Sequence, residues 1–313
     1  MRRVLTIDGG GVRGVLPASF LATVEELLRR SPANYFDLIV GTSTGGIIAL
    51  GLGAGLSARQ IRDFYIDRGP HIFRGQRHLR ALRQVFVAKY NPLSLKNELE
   101  KVFGDRRIGE SRTRLVIPSM DLTTGKVRLW KTAHNERFIQ DYKCRMVDAA
   151  MATSSAPTYF KAVVGETGTS IVDGGVFANN PAALGAVEAI GVLGWPRDEV
   201  AILSLGCGTE PLDVRPSVLR SGIAGLGLKI TSIFITAQSD SSTGMATHLL
   251  GDRRNFYRVN PTLPAKRYGL DVASAIPELS GVGDSEARRC LQEIRAFFST
   301  PAPSFVPVHP LGL

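Results

Sequence analysis

Cysteine and histidine are scarce in this chain. Its 313 residues include three cysteines and five histidines. Cys144, Cys207 and Cys290 are odd in number and far apart, which excludes a disulfide scaffold and leaves no metal-ligand spacing. We therefore predict no metal and no cofactor, and we interpret the three thiols as small core residues in a reducing cytosol.

No stretch of the sequence predicts a membrane-spanning helix or a signal peptide. Residues 38–58 are uncharged and long enough to span a bilayer, but their six glycines favour a buried strand and helix. Behind Met1-Arg2-Arg3, a stretch of only four residues precedes Asp8, which is too short for a signal peptide. These patterns predict a cytoplasmic protein.

Acidic residues are absent between Arg74 and Lys89, within a chain whose formal charge is +10. The basic members of this segment are interleaved with apolar residues, and they are Arg74, Arg77, Arg80, Arg83 and Lys89. On a helix, the pattern fits a surface for anionic lipid head groups or an anionic effector, and it fits a solvated basic face equally well. Aromatic residues make up only 7% of the chain and no nucleic-acid module is evident, which argues against a nucleic-acid polymer as partner.

The segment Gly41-Thr42-Ser43-Thr44-Gly45 lies between an apolar strand, residues 36–40, and an apolar helix. A sharp turn between strand and helix lifts a serine hydroxyl clear of the sheet, and Gly41 and Gly45 permit the strained backbone of that turn. The pattern therefore predicts a nucleophile elbow with Ser43 at its apex. The ordinary alternative is a Gly-Thr-Ser loop that closes a βα unit.

A serine nucleophile needs a base, and no histidine is well placed to serve. None of the five follows a strand convincingly, so each is predicted to lie at the surface: His71, His78, His134, His248 and His309. Asp173 ends a short apolar strand, residues 171–173, and precedes two glycines. It is a candidate base, although an ordinary Asp-Gly turn also explains this segment when it is taken alone.

A glycine-rich loop, Asp8-Gly9-Gly10-Gly11-Val12-Arg13-Gly14, follows the strand Val4–Ile7 and precedes a helix. Consecutive glycines at a helix N-terminus expose backbone amides that bind a phosphate or a developing oxyanion, and Arg13 adds a positive charge. The loop also matches the dinucleotide fingerprint. That fingerprint requires an acid at the end of the second strand, whereas Asp37 stands at its beginning. A nucleotide-cofactor-binding protein that uses Gly9–Gly14 is therefore the alternative hypothesis.

Taken in order, the three motifs resemble the patatin-like phospholipase family. The family pattern is a D-G-G-G-x-R-G loop, a G-x-S-x-G elbow and a later D-G-[GA]. In this chain these motifs occupy residues 8–14, 41–45 and 173–175. Similarity of the same kind extends to residues 116–121, 152–160 and 179–181. The resemblance therefore covers most of residues 1–210.

The resemblance implies a serine lipid acyl hydrolase that cleaves acyl esters of membrane phospholipids. Ser43 and Asp173 would form a catalytic dyad without histidine. The implied oxyanion hole consists of Gly9, Gly10, Gly11 and Arg13. The chain is particularly similar to bacterial members that cyclic oligonucleotides activate in antiphage defence, and the basic segments 74–89 and 251–267 could receive such a ligand. The implied partners are the inner face of the membrane, bound peripherally, and a cyclic oligonucleotide; a homo-oligomer stays open.

Length and pattern predict one α/β domain, residues 1–298, followed by a proline-rich tail, residues 299–313. The resemblance implies a patatin-like layered fold, in which helices flank a central and mostly parallel sheet. The predicted strands are Val4–Ile7, Leu38–Val40, Arg114–Pro118, Ile171–Asp173, Val200–Leu205 and Phe256–Val259. Residues 126–130 are predicted to form a hairpin with the preceding strand.

Two helices are predicted from their boundaries and faces. Ser57 and Gln60 form a capping box that begins a helix, and Gly69-Pro70 is expected to end it. A late helix is expected to carry five residues on one face, namely Cys290, Leu291, Ile294, Phe297 and Phe298.

Overall fold

Short apolar runs form the strands of a central sheet, as the sequence pattern predicts. The computed structural model describes residues 1–72, 90–157, 159–160, 162–164, 168–211, 222–265 and 267–312, so the basic segment 74–89 lies outside the described residues. The strands are β1 Arg2–Ile7, β2 Leu38–Gly41, β3 Arg114–Asp121, β4 Lys126–Lys131, β5 Val163–Val164, β6 Ser170–Asp173, β7 Val200–Leu205 and β8 Phe256–Val259. The α-helices are α1 Val15–Leu28, α2 Thr44–Gly53, α3 Ala58–Ile72, α4 Pro92–Phe103, α5 Met146–Ser154, α6 Gly175–Ala178, α7 Ala182–Val187, α8 Gly222–Leu250, α9 Ile276–Arg289 and α10 Leu291–Ile294.

The sheet is mixed but mostly parallel. Its order is β5-β6-β3-β2-β1-β7-β8, and β4 pairs with β3 beside this path. The strands from β3 to β8 along this order are parallel, whereas β4, β5 and β6 run antiparallel to their neighbours. The predicted fold class, the six predicted strands and the hairpin are thereby confirmed. The two-residue strand β5 was not predicted, because so short a run has no pattern of its own.

The register of β3 explains how β6 reaches the end of β2. Val116 pairs with both β2 and β4, so these two strands lie on opposite edges of β3. Ser119 pairs with both β4 and β6, so β6 lies on the same edge as β2, beyond its end. Because β6 is antiparallel to β3, its last residue, Asp173, is the one that comes next to the end of β2.

Alternate residues of the central strands pack on opposite faces of the sheet. Leu5 and Ile7 of β1 belong to a larger core that α1, α2, α3, α5 and α9 complete. Val4 belongs to a smaller core with residues of α7 and α8. Helices on both faces explain why the strands are apolar along their length. The uncharged run 38–58 is accordingly a buried strand and helix, and every residue of α2 is buried.

Two helix boundaries differ from the prediction. The capping box is present, since the Ser57 amide donates to Gln60 Oε1 at 2.9 Å and the Gln60 amide donates to Ser57 Oγ at 3.0 Å. However, α3 continues through Gly69-Pro70 to Ile72. Gly69 lies so close to α9 that an added Cβ would be 2.7 Å from Ile276 Cδ1, so the glycine serves packing rather than helix termination.

The late helix is also not continuous. α9 ends at Arg289, α10 follows from Leu291 to Ile294, and a 3-10 turn covers Arg295–Phe298. Four of the five predicted apolar residues, Cys290, Ile294, Phe297 and Phe298, belong to the core, whereas Leu291 is half-buried and does not. The residues 299–312 contain no helix or strand. They follow the domain surface, where the Val308 amide donates to the Ala133 carbonyl at 2.7 Å.

Among the described residues, none of the helices has both the length and the apolar character needed to cross a membrane.

Candidate active site

Ser43 occupies a strained turn between β2 and α2. Its backbone angles are φ 55° and ψ −122°, a left-handed φ that side-chain-bearing residues rarely adopt. A Cβ on Gly41 would be 2.1 Å from the Gly45 carbonyl oxygen, and a Cβ on Gly45 would be 2.2 Å from the Ile7 carbonyl oxygen. Only glycine fits at either position, which is why the motif has glycine on both sides of the serine. The turn presents the Ser43 side chain to a large cavity.

Thr153 holds the turn in place. Its hydroxyl accepts a hydrogen bond from the Ser43 amide at 2.9 Å and donates one to the Pro118 carbonyl at 2.6 Å. The strained backbone is thus tied to α5 and to β3. The sequence places Thr153 in a segment of family similarity, but only the fold shows that it contacts the serine.

Asp173 lies at the end of β6, beside Ser43. Oδ1 accepts the Gly175 amide at 2.6 Å, and the carboxyl interacts with the Ser43 side chain. Burial raises the pKa of Asp173 from 3.8 to about 6, although Ser43 and the Gly175 amide favour the charged form and oppose this rise. The carboxylate is therefore a better proton acceptor than an exposed aspartate, and it is mostly ionised at pH 7.

The glycine loop approaches the serine from β1. An added Cβ on Gly9 would be 3.2 Å from Ser43 Cβ, and one on Gly10 would be 2.5 Å from Cys207 Cβ. Gly11 has a φ of +57° and turns the chain into a 3-10 segment, Gly11–Gly14, ahead of α1. The predicted loop therefore borders the nucleophile, and its glycines allow the backbone to lie this close.

One predicted oxyanion donor already has an acceptor. The Gly9 amide donates to the Asn179 carbonyl at 2.9 Å, which argues against a role in binding a substrate. In the part of the chain that the structure describes, no acceptor pairs with the amides of Gly10 and Gly11. These two amides remain candidates. The sequence could not show the difference, because Asn179 is distant in the chain.

Arg13 points into the same cavity. Its Nη1 lies 3.8 Å from Glu210 Oε1, and its Nε is buried with no hydrogen-bond partner among the described residues. A guanidinium in this place adds positive charge beside the glycine loop, and its contact with the Glu210 carboxylate is long. The geometry leaves it able to face a developing negative charge.

The cavity has a volume of about 1400 Å³ and contains Ser43 and Asp173 in its wall. The lining includes apolar side chains, namely Ile47, Phe64, Ile72, Leu95 and Phe160. It also includes polar side chains of α8 and β8, such as Gln238, Ser239 and Arg258. A cavity with these two characters suits a ligand that has both an apolar chain and a polar group.

An ion pair that the sequence analysis missed lies at the start of the glycine loop. Arg258 Nη2 donates to Asp8 Oδ2 at 2.6 Å, and Arg258 Nη1 donates to Asp8 Oδ1 at 3.2 Å. Asp8 was expected only as part of a glycine motif. Nothing in the local sequence around Arg258 indicates that it pairs with a residue 250 positions away.

His134 does not lie at the surface, contrary to the prediction. Nε2 lies 2.8 Å from Glu188 Oε1 and Nδ1 lies 2.8 Å from Thr132 Oγ1, both in a buried position. Burial lowers the pKa of His134, which keeps the ring neutral. His71 and His248 are exposed and His309 is half-buried, whereas His78 lies outside the described residues. No described histidine lines the cavity, so none is placed to serve Ser43 as a base.

The described residues place no acid where a dinucleotide would need one, and they form no metal-binding cluster. Asp37 precedes β2, where its carboxylate accepts Arg2 Nη1 and the Arg3 amide, both at 2.9 Å. Asp37 therefore lies at the end of the sheet opposite to the glycine loop, where it cannot hold the ribose of a dinucleotide bound at that loop. Across the described ranges, no group of three or more histidine, cysteine or acidic side chains could hold a metal.

Comparison with known proteins gives consistent matches. The profile of the patatin-like phospholipase family matches residues 5–185. A cGAMP-activated phospholipase of Escherichia coli (strain TW11681) is 33% identical over 335 residues, covering 97% of this chain and 94% of that protein. One of Vibrio cholerae is 33% identical over 345 residues, covering 97% of this chain and 96% of that protein. Patatin-like protein 2 of Oryza sativa subsp. indica is 32% identical over 254 residues and covers 67% of this chain and 62% of that protein.

Proposed function

Because the chain belongs to the patatin-like phospholipase family and is therefore a lipid-hydrolysing enzyme, we propose that Ser43 and Asp173 cleave acyl esters of membrane phospholipids. The observation that carries the proposal is that Ser43 and Asp173 lie in the wall of one cavity beside the glycine loop, where the serine side chain interacts with the buried carboxyl. No described histidine lines this cavity, which supports Asp173 as the base.

The reaction proceeds in two halves. Asp173 accepts the Ser43 proton as Ser43 Oγ attacks the ester carbonyl, which forms a tetrahedral oxyanion. The C–O bond to the glycerol part then breaks, and the leaving oxygen takes the proton from Asp173. A water molecule attacks the acyl-enzyme, again losing a proton to Asp173, and the return of that proton to Ser43 releases the fatty acid.

The oxyanion hole of this proposal differs from the predicted one by a single donor. The amides of Gly10 and Gly11 and the guanidinium of Arg13 face the developing charge, whereas the Gly9 amide stays bonded to Asn179. Loss of one such donor typically costs about 2.7–4 kcal/mol of barrier lowering. Arg13→Met should therefore lower kcat by about two orders of magnitude on any ester.

The cavity supports a lipid as substrate. Its apolar side chains from α2, α3 and α4 would contact an acyl chain, and its polar side chains would receive the glycerol and phosphate groups. We further propose that the enzyme works at the inner face of the membrane, with the basic segment 74–89 contacting anionic head groups.

Hydrolysis of phospholipid vesicles tests the function directly. The wild-type protein should release fatty acids, and Ser43→Ala should abolish this release while the protein stays folded. Asp173→Asn should behave almost as badly, because an amide cannot accept the serine proton, and the two losses should not add. Ser57→Ala is the matched control, since it removes a half-buried serine hydroxyl of a helix cap that does not line the cavity. Substantial activity of Ser43→Ala would refute the dyad.

Activation by a cyclic oligonucleotide is the second part of the proposal, with antiphage defence as its setting. It rests on the two bacterial relatives named cGAMP-activated phospholipase, which align with 97% of this chain. Vesicle hydrolysis with and without cGAMP should show higher rates with it. Equal rates with and without cGAMP would contradict this mode of activation and would not contradict the hydrolase activity.

NAD(P) is the comparison ligand for the alternative hypothesis, a nucleotide-cofactor-binding protein that uses Gly9–Gly14. Protection against thermal unfolding by NAD(P) alone would favour that alternative.

A further inference from the structure

The Asp8–Arg258 ion pair fixes the first residue of the glycine loop. The two side chains are 5% and 13% exposed, and two hydrogen bonds join the guanidinium to the carboxylate at 2.6 and 3.2 Å. A two-point contact of this kind fixes orientation as well as distance, which a lysine ammonium cannot do. The residues that follow Asp8 are Gly9, Gly10 and Gly11, so the pair determines where the loop departs from β1.

The same guanidinium also contacts two other elements. Arg258 Nη1 donates to Ser204 Oγ of β7 at 2.7 Å, and Arg258 Nη2 donates to Ser239 Oγ of α8 at 3.2 Å. One side chain thus joins the end of β1, the neighbouring strand and α8. Glycine residues impose little conformational preference of their own, so the loop depends on such anchors for its position.

α8 holds the loop from a second side as well. Asn180 Nδ2 donates to the Ser239 carbonyl at 3.0 Å, and the Asn180 carbonyl accepts Gln238 Nε2 at 3.1 Å. The preceding residue, Asn179, accepts the Gly9 amide. These two anchors of the loop, through Asp8 and through Asn179, therefore lead to the same turn of α8, whereas the amides of Asp8 and Val12 donate to the carbonyls of Leu205 and Leu270.

We propose that Arg258 is a positioning residue for the oxyanion hole, which places the Gly10 and Gly11 amides relative to Ser43 and makes their place depend on α8. This inference rests on the proposed function of the same site. Arg258 makes no hydrogen bond with Ser43 or Asp173 among the described contacts, so it acts through Asp8. The pKa of Asp173 is governed by burial and by the hydrogen bonds of Ser43 and Gly175, so it should not respond to Arg258.

The test measures kcat, KM and the pH profile on a small soluble ester. Arg258→Lys keeps the charge and loses the two-point contact, and we expect kcat to fall about 10- to 100-fold with KM unchanged, because small misplacements cost rates of this size. Ser239→Ala leaves the Asp8–Arg258 pair in place, removes the hydroxyl that accepts Arg258 Nη2 at 3.2 Å and Asn180 Nδ2 at 3.4 Å, and should lower kcat less. The acid limb of the profile should stay at the wild-type pH in both variants. Arg2→Lys alters the Arg–Asp pair at the opposite end of β1 and should leave kcat unchanged.

Three outcomes for Arg258→Lys would overturn the proposal. Unchanged kcat with a lower Tm would mean that Arg258 only stabilises the fold. A displaced acid limb would mean that Arg258 acts on Asp173. A raised KM for phospholipid with normal hydrolysis of the small ester would make Arg258 a binding group for the head-group phosphate. If Arg258→Lys does not fold, Ser239→Ala decides, and full activity of that variant refutes the link to α8. The proposed function is judged separately, by wild-type hydrolysis and its loss in Ser43→Ala.

Discussion

The rate of hydrolysis should fall on acidification because Asp173 becomes protonated. Burial raises the pKa of this carboxyl from 3.8 to about 6. Only the ionised form can accept the Ser43 proton, so activity is present above this pH and is lost as the pH drops through it. About nine-tenths of the carboxyl is ionised at pH 7 and about one-tenth at pH 5, which predicts roughly a tenfold fall in kcat/KM. An aspartate with an ordinary pKa would lose less than about a tenth of its activity over this interval.

The assay is kcat/KM on a small soluble ester from about pH 4.5 to 8.5, because this ratio reports the free enzyme. A histidine base would also give a limb near pH 6.5, so the profile must be repeated with each histidine replaced singly. We expect the limb to persist in all five variants. A limb near pH 4, or one that disappears with a histidine, would refute the assignment of Asp173 as a buried base.

The raised pKa of Asp173 also makes the stability of the folded protein decrease as the pH rises. Because the folded-state pKa of Asp173 is raised, its contribution to stability is fully present below about pH 3.8 and is lost as the pH rises through about 6. The ionised carboxyl thus costs about 3 kcal/mol at pH 8. Asp173→Asn should therefore be inactive yet more stable than the wild type at pH 8, with no advantage at pH 4. Equal denaturant midpoints at pH 8 would contradict this cost.

Three further variants test the elbow, a buried ion pair and the basic segment. Gly45→Ala should abolish hydrolysis and lower Tm, since its methyl group would be 2.2 Å from a β1 carbonyl, whereas Gly244→Ala on α8 meets nothing within 4 Å and should do neither. Glu188→Ala should cost about 3–5 kcal/mol in denaturant unfolding, because it leaves the buried Lys131 unpaired, with normal kcat in the residual folded protein. Replacing Arg77, Arg80 and Arg83 by glutamate should weaken hydrolysis of anionic vesicles, because each lost positive charge lowers the binding free energy at the membrane by about 1 kcal/mol. A small soluble ester should be cleaved normally. Unchanged vesicle activity at low salt would make the segment a solvated face.

Local sequence was sufficient wherever local backbone geometry is the requirement. Gly41 and Gly45 are recognisable because a side chain at either position would overlap a carbonyl oxygen, so the pattern carries its own physical reason. The strands were predictable because helices cover both faces of the sheet and make the strands apolar throughout. The capping box at Ser57 is likewise a property of four consecutive residues.

Contacts between distant segments were not predictable in this way. The meeting of Asp173 with Ser43 depends on β2 and β6 sharing one edge of β3, which the registers reveal and composition does not. His134 was expected at the surface because it does not follow a strand convincingly, but Glu188, 54 residues away, gives its ring a buried partner. The hydrogen bond of the Gly9 amide was also not predictable from local sequence, since its acceptor is the carbonyl of Asn179, which is distant in the chain.

The burial of Asp173 also connects the base to the state of the cavity. Its pKa is raised because water is kept from the carboxyl, so any movement of α8 that admits water lowers the pKa toward 3.8 and makes the carboxylate a weaker base. An activator that closes or opens the cavity should therefore move the acid limb of the pH profile. An activator that only recruits the enzyme to lipid should raise the rate on vesicles and leave the limb at about pH 6. Measuring the pH profile on a small soluble ester with and without cGAMP distinguishes these two kinds of activator. A higher rate on that ester with the acid limb unmoved would exclude both kinds.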